Sequence, residues 1–349
     1  MMLLELPRIA VRLDQDLDPY RCIELAVVAE TSGYSSLWFA ENPLHRAILP
    51  AISACALQTQ RIRLGIGIIN TYQHHPSLIA MEAAALDELA RGRILLGIGS
   101  GVGSRIARLG FDYRPVSALR DATQIIRALL RGEETSYRGH AFCVDRVRLR
   151  FQPPRPDMPV YFASMGDRSL ALCGELADGL IVSNLCPPGY TRRAVDLVQQ
   201  SAAAAGRKAL EVVQYVPCAV RADRNEALRA AKMAVGEMLA TFWPVGGDWP
   251  ELRETIVRHS GISKSEMVAA LARLRRGETP DRVLGDRFVE AFAIAGTAEE
   301  CLAAAARYGD AGVHELVLTF VGAQAPEQMA QLGGALAEHR TRSGSPGQP

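Results

Sequence analysis

Along the chain, short apolar runs alternate with longer stretches whose apolar residues recur at helical spacing, a pattern that predicts strand followed by helix. Residues 9–13 (IAVRL) read as a strand. Asp18 then caps a helix that starts at Pro19, turns Ile23, Ala26 and Val27 inward and stops at Gly33. Residues 36–40 (SLWFA) are a second strand and 47–59 a helix. The third strand, 62–69, is apolar almost throughout, as in strands buried on both faces of a parallel sheet. A helix over 75–89 follows, with Leu78, Met81, Ala85 and Leu89 at spacings of three, four and four. Strand 94–98 leads through a glycine-rich loop to a helix near 116–130.

The rhythm breaks over 133–159, which has short alternating stretches and prolines at 153, 154, 156 and 159. It resumes with strand 160–163 and helix 167–177, strand 180–183 and helix 190–205, then strand 211–220 and helix 225–239. A second, mostly helical excursion covers 243–295. Thr297 with Glu300 forms a capping box for a helix through residue 307, and strand 314–320 with a helix near 326–338 completes the series. Eight strand–helix units in unbroken order place the chain in the α/β class as a (β/α)8 TIM barrel with inserted excursions, in preference to an open doubly wound sheet. The expected organisation is one barrel domain over 1–340, insertions at about 133–159 and 243–295, and a disordered tail at 341–349.

Composition narrows the function. The chain of 349 residues is 48% hydrophobic and 22% charged, which excludes disorder and coiled coil. With 39 basic and 38 acidic residues the net charge is +1, without a run of like charges, so neither nucleic acid nor a membrane surface is an expected partner. No apolar run approaches the roughly 20 residues of a membrane span. The first residues carry Glu5, Pro7 and Arg8 where a secretory signal would be apolar, so a cytoplasmic protein is expected. Seven cysteines without a C-x-x-C pair argue against a disulfide framework and a zinc site, and read as small buried hydrophobes.

In such a barrel the chemistry lies just after each strand. Strand two runs into Glu41, Asn42, Pro43, Leu44, His45 and Arg46, where Glu41 could move a proton or orient a ligand, or simply pair with Arg46. Strand three carries Gly65 and Gly67, costly in a strand unless backbone bulges or a ligand comes close. Strand four ends in Gly97, Gly99, Gly101 and Gly103, which misses the dinucleotide fingerprint because Ser104 stands where the third glycine is needed. His74 and His75 are adjacent and cannot share a metal as a helical pair four apart would, so no metal is expected. After strand five, Ser164, Met165 and Gly166 lead into a helix start suited to phosphate, unless Asp167 serves as its cap.

The segments WFAEN, RIRLGIGIINTYQHHP and LDELARGRILLGIGSG, supported by YFASMGDRSLALCGELADGLIVS and IAGTAEECLAAAARYGDAGVHELVL, together resemble the bacterial luciferase-like superfamily of flavin and deazaflavin barrels. The branch most similar is that of the methylenetetrahydromethanopterin reductases. The resemblance implies an oxidoreductase that binds FMN or coenzyme F-420, acts on a small organic molecule and forms a dimer, either as a monooxygenase or as a deazaflavin-dependent reductase or dehydrogenase. It implies a cis peptide at Gly67–Ile68 behind the ring, with Asn70 and Thr71 beside it and Gly99 and Ser100 approaching from strand four. It also implies phosphate held around Ser164, Met165 and Gly166, with Ser183 and Asn184 assisting. Two departures matter: Glu41 and Asn42 stand where the reductases have an Asp–His pair, and Arg12 replaces an acidic residue of strand one. The alternative they leave open is a catalytically inert flavin-binding barrel. The two excursions are expected to shape the pocket and set specificity.

Overall fold

In the computed structural model, which describes residues 6–14, 16–245, 250–322 and 324–343, the apolar runs lie side by side as parallel strands. They are β1 (Arg8–Leu13), β2 (Ser36–Phe39), β3 (Arg63–Asn70) and β4 (Ile94–Gly99), then, after the hairpin strands β5 (Thr135–Arg138) and β6 (Cys143–Val147), β7 (Val160–Ala163), β8 (Gly179–Val182), β9 (Glu211–Val220), β10 (Ile294–Gly296) and β11 (Glu315–Phe320). Strands β1, β2, β3, β4, β7, β8, β9 and β11 pair in that order, and β11 pairs back onto β1, closing the eight-stranded (β/α)8 barrel. All eight coincide with the runs read from sequence. β10 does not: this three-residue strand extends β9 by pairing with Cys218–Val220.

The barrel interior is stacked in layers, as period-two alternation requires. At the N-terminal end, inward positions carry charge: Arg8, Glu211 and Glu315. The middle layer is an apolar plug of Ala10, Trp38, Leu95, Tyr161, Val213 and Val317. Trp38 fills the space left by Gly65, where an added Cβ would stand 2.2 Å from its ring. The next layer toward the C-terminal end is depleted, with Ala40, Gly67, Gly97 and Ala163 at inward positions, and this depletion opens space at that end.

Helix ends follow their sequence signals. Asp18 accepts the amides of Tyr20 and Arg21 at 3.0 and 3.1 Å, Gly33 turns out of the helix with φ +77°, and Thr297 with Glu300 forms the capping box. Helix faces are less faithful. Val27 is exposed, and Met81, Ala85 and Leu89 face outward. The buried face of Pro76–Leu89 is instead Ile79, Ala80, Ala83, Ala84 and Leu86. Alanines let the helix approach the branched residues of the strands, so bulk marks the wrong face here. The last helix, Ala325–Ser343, runs past residue 338 and includes 341–343 of the supposed tail; 344–349 lie outside the described residues. Six of the seven cysteines are buried, and all are unpaired. No described helix is long and apolar enough to cross a membrane.

Candidate functional site

The space above the depleted layer is a cavity of about 270 Å³ at the C-terminal ends of the strands, walled by β1, the loops after β2, β4, β7 and β8, the middle of β3, Tyr215 of β9, Phe242, and Trp243, Leu252, Arg253 and Ile256 of the second excursion. A larger cleft of about 620 Å³ shares Arg12, Asn42, Asn184 and Phe242 with it. The first excursion supplies no lining residue to either. It departs after a helix and returns into β7, so both its ends lie at the opposite end of the barrel. There Arg155 pairs with the fully buried Asp87 at 2.9 Å, while the β5–β6 hairpin runs outside the helices and sets Phe142, between its strands, edge-on to His75. The expectation that both excursions shape the pocket therefore holds for the second alone.

Glu41 follows β2 and lies at the cavity wall, its side chain 10% exposed. It does not pair with Arg46, which donates to the Asp16 carbonyl at 2.9 Å. Its partner is His74, whose Nε2 stands 3.2 Å from Glu41 Oε1, while Nδ1 lies 3.9 Å from Glu82. The Glu41 hydrogen bond holds the His74 imidazole above its ordinary titration range, outweighing burial, which acts in the other direction. His75 turns away to cap the helix at Pro76, accepting from the Ser77 amide. Among the described residues no group of three or more His, Cys, Asp or Glu is placed to hold a metal. Asn42 also lines the cavity, and its Oδ1 accepts from Arg105 at 3.4 Å.

β3 bulges against β4 between Ile66 and Ile69, and the Gly67–Ile68 peptide there is cis. Both residues line the cavity. A Cβ on Gly67 would meet the Tyr215 hydroxyl at 2.0 Å and Trp38 at 2.8 Å, so this glycine is required by the packed plug as well as by the open space. A larger residue there would damage the core and the cavity together. Gly99 faces Ile68, whose Cδ1 would be 2.6 Å from an added Cβ; it makes room for the bulge and does not itself reach the cavity. Asn70, Thr71 and Ser100 also lie behind the cavity wall. Asn70 accepts the Tyr72 amide at 2.8 Å, Thr71 is fully buried beside the Gly99 carbonyl, and Ser100 Oγ is 3.4 Å from the Tyr113 hydroxyl.

After β7, Met165 lines the cavity, while Ser164 Oγ is buried without a hydrogen-bond partner. Gly166 is the N-cap of Asp167–Leu176 and provides no side-chain cap. Asp167 is not the cap either, since it turns outward to Arg193 at 2.7 Å, and the first amides of the helix stay uncapped. After β8, Ser183 and Asn184 line the cavity, and Asn184 Oδ1 is buried without a partner. Sequence reading missed His74, Tyr215, Arg105, Phe242, Trp243 and Arg253 at this site. For Tyr215 a signal existed: a hydroxyl at an inward position of a buried strand needs a polar partner, and it donates to the Gly67 carbonyl at 3.3 Å.

The family model described as luciferase-like monooxygenase matches residues 2–315. A 5,10-methylenetetrahydromethanopterin reductase of Archaeoglobus fulgidus is 28% identical over 311 residues, covering 86% of this chain and 90% of that protein. Among solved structures, the coenzyme F420 dependent tetrahydromethanopterin reductase of Methanopyrus kandleri superposes with a TM-score of 0.86 at 22% identity, covering 96% of this chain and 99% of that one. The oxygenating constituent of a diketocamphane monooxygenase of Pseudomonas putida, solved with FMN, gives 0.72 at 16% identity, covering 96% and 98%. At these identities the two structures share the fold.

Proposed function

Because the chain belongs to the luciferase-like monooxygenase family and is an oxidoreductase, we propose that it transfers a hydride between coenzyme F-420 and a small organic substrate bound in the same cavity. The residues fit such a group. Ser164 Oγ and Asn184 Oδ1 are buried polar atoms that no group among the described residues satisfies, and a ligand rich in hydroxyls and phosphate would satisfy them. This observation carries the reading. Gly67, Ile68, Met165 and Ser183 would wall the ring, and the uncapped amides after Gly166 would take the phosphate. Asn70, Thr71, Gly99 and Ser100 would support that wall from behind. When bound, the deazaflavin supplies or accepts the hydride, and FMN would add reaction with oxygen.

The chain's own part is to hold, exclude water and manage a proton. Glu41 would give or take a proton at its cavity-facing carboxylate, or orient the substrate, with His74 holding it in place and Asn42 beside it. The pair arises between two loops, β2 to His74 after β3, where the resembling reductases have adjacent residues. Phe242, with Trp243 and Ile256 of the second excursion, closes the cavity. A dimer belongs to the same proposal: Met81, Ala85 and Leu89 give the helix Pro76–Leu89 an outward apolar row, and solution mass measures it.

The test is a comparative titration with F-420 and FMN. Micromolar or tighter binding of F-420 with weaker FMN is expected; the reverse order replaces hydride transfer by flavin monooxygenation. Binding of neither overturns the proposal, and bound cofactor that no substrate ever reoxidises or reduces marks an inert barrel.

A further inference from the structure

We propose that the substrate carries an anionic group, a carboxylate or phosphate, and that Arg12 holds it; this names the substrate class within the functional reading above and rests on it. The inward positions of β1 are Arg8, Ala10 and Arg12, so Arg12 places a guanidinium inside the barrel at the cavity end, its side chain 10% exposed. Burying a permanent charge costs free energy unless its donors are met. Nη1 bonds Asp14 at 2.6 Å and Thr319 at 3.3 Å. Nε is buried without a partner, and Nη2 has no hydrogen-bond partner among the described residues. The unused edge, Nε with Nη2, is the one that takes a planar carboxylate or a phosphate through two parallel bonds.

The head group is held in place for that task. It lies over the Tyr215 ring, 5.5 Å from the centroid, and the Tyr215 hydroxyl donates to the carbonyl of Gly67 at the bulge. An anion on Arg12 is thereby set beside the bulge. The charge around it favours an anion too. Among the described lining residues of the 270 Å³ cavity, Arg12, Arg105 and Arg253 are cationic, and Glu41, already facing His74, is the one carboxylate. Asp14 stands toward solvent, its side chain 44% exposed, and Asp16 and Glu237 line only the outer cleft. Arg105 stands on the short helix Gly103–Ala107 after β4 and stacks on Phe242, Arg253 belongs to the second excursion and stacks on Trp243, and Arg12 alone of the three projects from a barrel strand.

The experiment is calorimetric titration of the cofactor-loaded protein with succinate, inorganic phosphate and the neutral analogue succinamide, at pH 7 and pH 9. Succinate or phosphate should bind in the millimolar range, at least tenfold tighter than succinamide, and succinate, a dianion throughout, should bind equally at both pH values, because a guanidinium does not titrate there. Which of the two binds more tightly identifies the anion. Arg12→Gln should abolish the preference and Arg12→Lys should retain part of it. Absence of the preference in the unaltered protein overturns the proposal without recourse to any variant, as does its persistence in folded Arg12→Gln. A preference that fades at pH 9 assigns the anion to His74 and also overturns it. If Arg12→Gln weakens FMN or F-420 but leaves riboflavin unchanged, the anion belongs to the cofactor, and this proposal fails while the functional reading stands. If no cofactor binds, that reading fails, and the same anion titration on the bare protein still decides the role of Arg12.

Discussion

Arg8 and Arg12 project from the same face of one strand, about 13 Å apart at the rise of an extended chain, and meet opposite surroundings. Arg8 contacts Glu211 and lies 3.6 Å from Glu315. Glu315 is fully buried and also accepts from Ser35, Ser36, Trp38 and Arg63, while Glu211 accepts from the Tyr161 hydroxyl. Polar groups at this end face groups of opposite charge: even Arg8 Nε, which makes no hydrogen bond among the described residues, lies 3.6 Å from the Glu315 carboxylate. At the other end the buried atoms of Arg12, Ser164 and Asn184 are left short of partners, and the middle layer keeps the two ends apart. One end of the barrel spends its polar groups on itself, and the other keeps them available.

Substitutions at the two ends should therefore separate stability from activity. The largest effect is expected for Glu315→Gln, which leaves Arg8 and Arg63 facing a neutral amide in a closed network; unfolding by denaturant should show a loss of about 3 kcal/mol, with cofactor affinity unchanged. Next is Glu41→Gln, expected to slow turnover by roughly 100-fold while shifting stability by at most about 1 kcal/mol; a large stability loss at constant rate would make Glu41 a structural residue. Gly166→Glu comes third. An added Cβ there meets only Ser169 Oγ at 3.9 Å, so the fold should tolerate it. Affinity for the phosphorylated cofactor should fall at least tenfold, about 1.4 kcal/mol, with riboflavin unaffected; equal loss for riboflavin would remove the phosphate from this loop.

The smallest concerns pH. The folded titration point of His74 is raised above its ordinary 6.5, so the stability from its contact with Glu41 is fully present below 6.5 and lost as pH rises through the folded value. Denaturation between pH 6 and 8.5 should show a decline of at most about 1 kcal/mol that His74→Gln abolishes; an unchanged decline in that variant would place the titrating group elsewhere.

The barrel was legible because parallel strands buried on both faces must be continuous apolar runs, and caps such as Asp18 act within four residues of chain. The helix faces were not, since Ala80, Ala83 and Ala84 bury themselves by being small, and bulk is what a periodicity reading weighs. At the site, Glu41 could be located from the end of strand two and Gly67 as a glycine inside an apolar strand, whereas Ser183 came from the family resemblance. The partner of Glu41 could not, because the pairing with His74 depends on how two loops stand in space, and the choice between Arg46 and His74 is a matter of tertiary geometry. Arg12 stood out only as a departure from the acidic residue of the resembling reductases, and its idle edge is visible only once Asp14 and Thr319 are seen on the other side of the head group.

The added strand β10 has a consequence for how this barrel can change. Through it the second excursion rejoins the barrel on the end of β9, the strand that leads into the helix Arg224–Val245 from which the excursion departs, and Pro280 sits against Gly236 of that helix. Entry and exit are thus clamped to neighbouring supports, and closure of a longer or shorter loop between them changes slowly with length, about 0.6 kcal/mol for each doubling. The roof of the cavity is a cassette: exchanged between related barrels at these two joints, it should carry substrate preference with it and leave the strands beneath undisturbed.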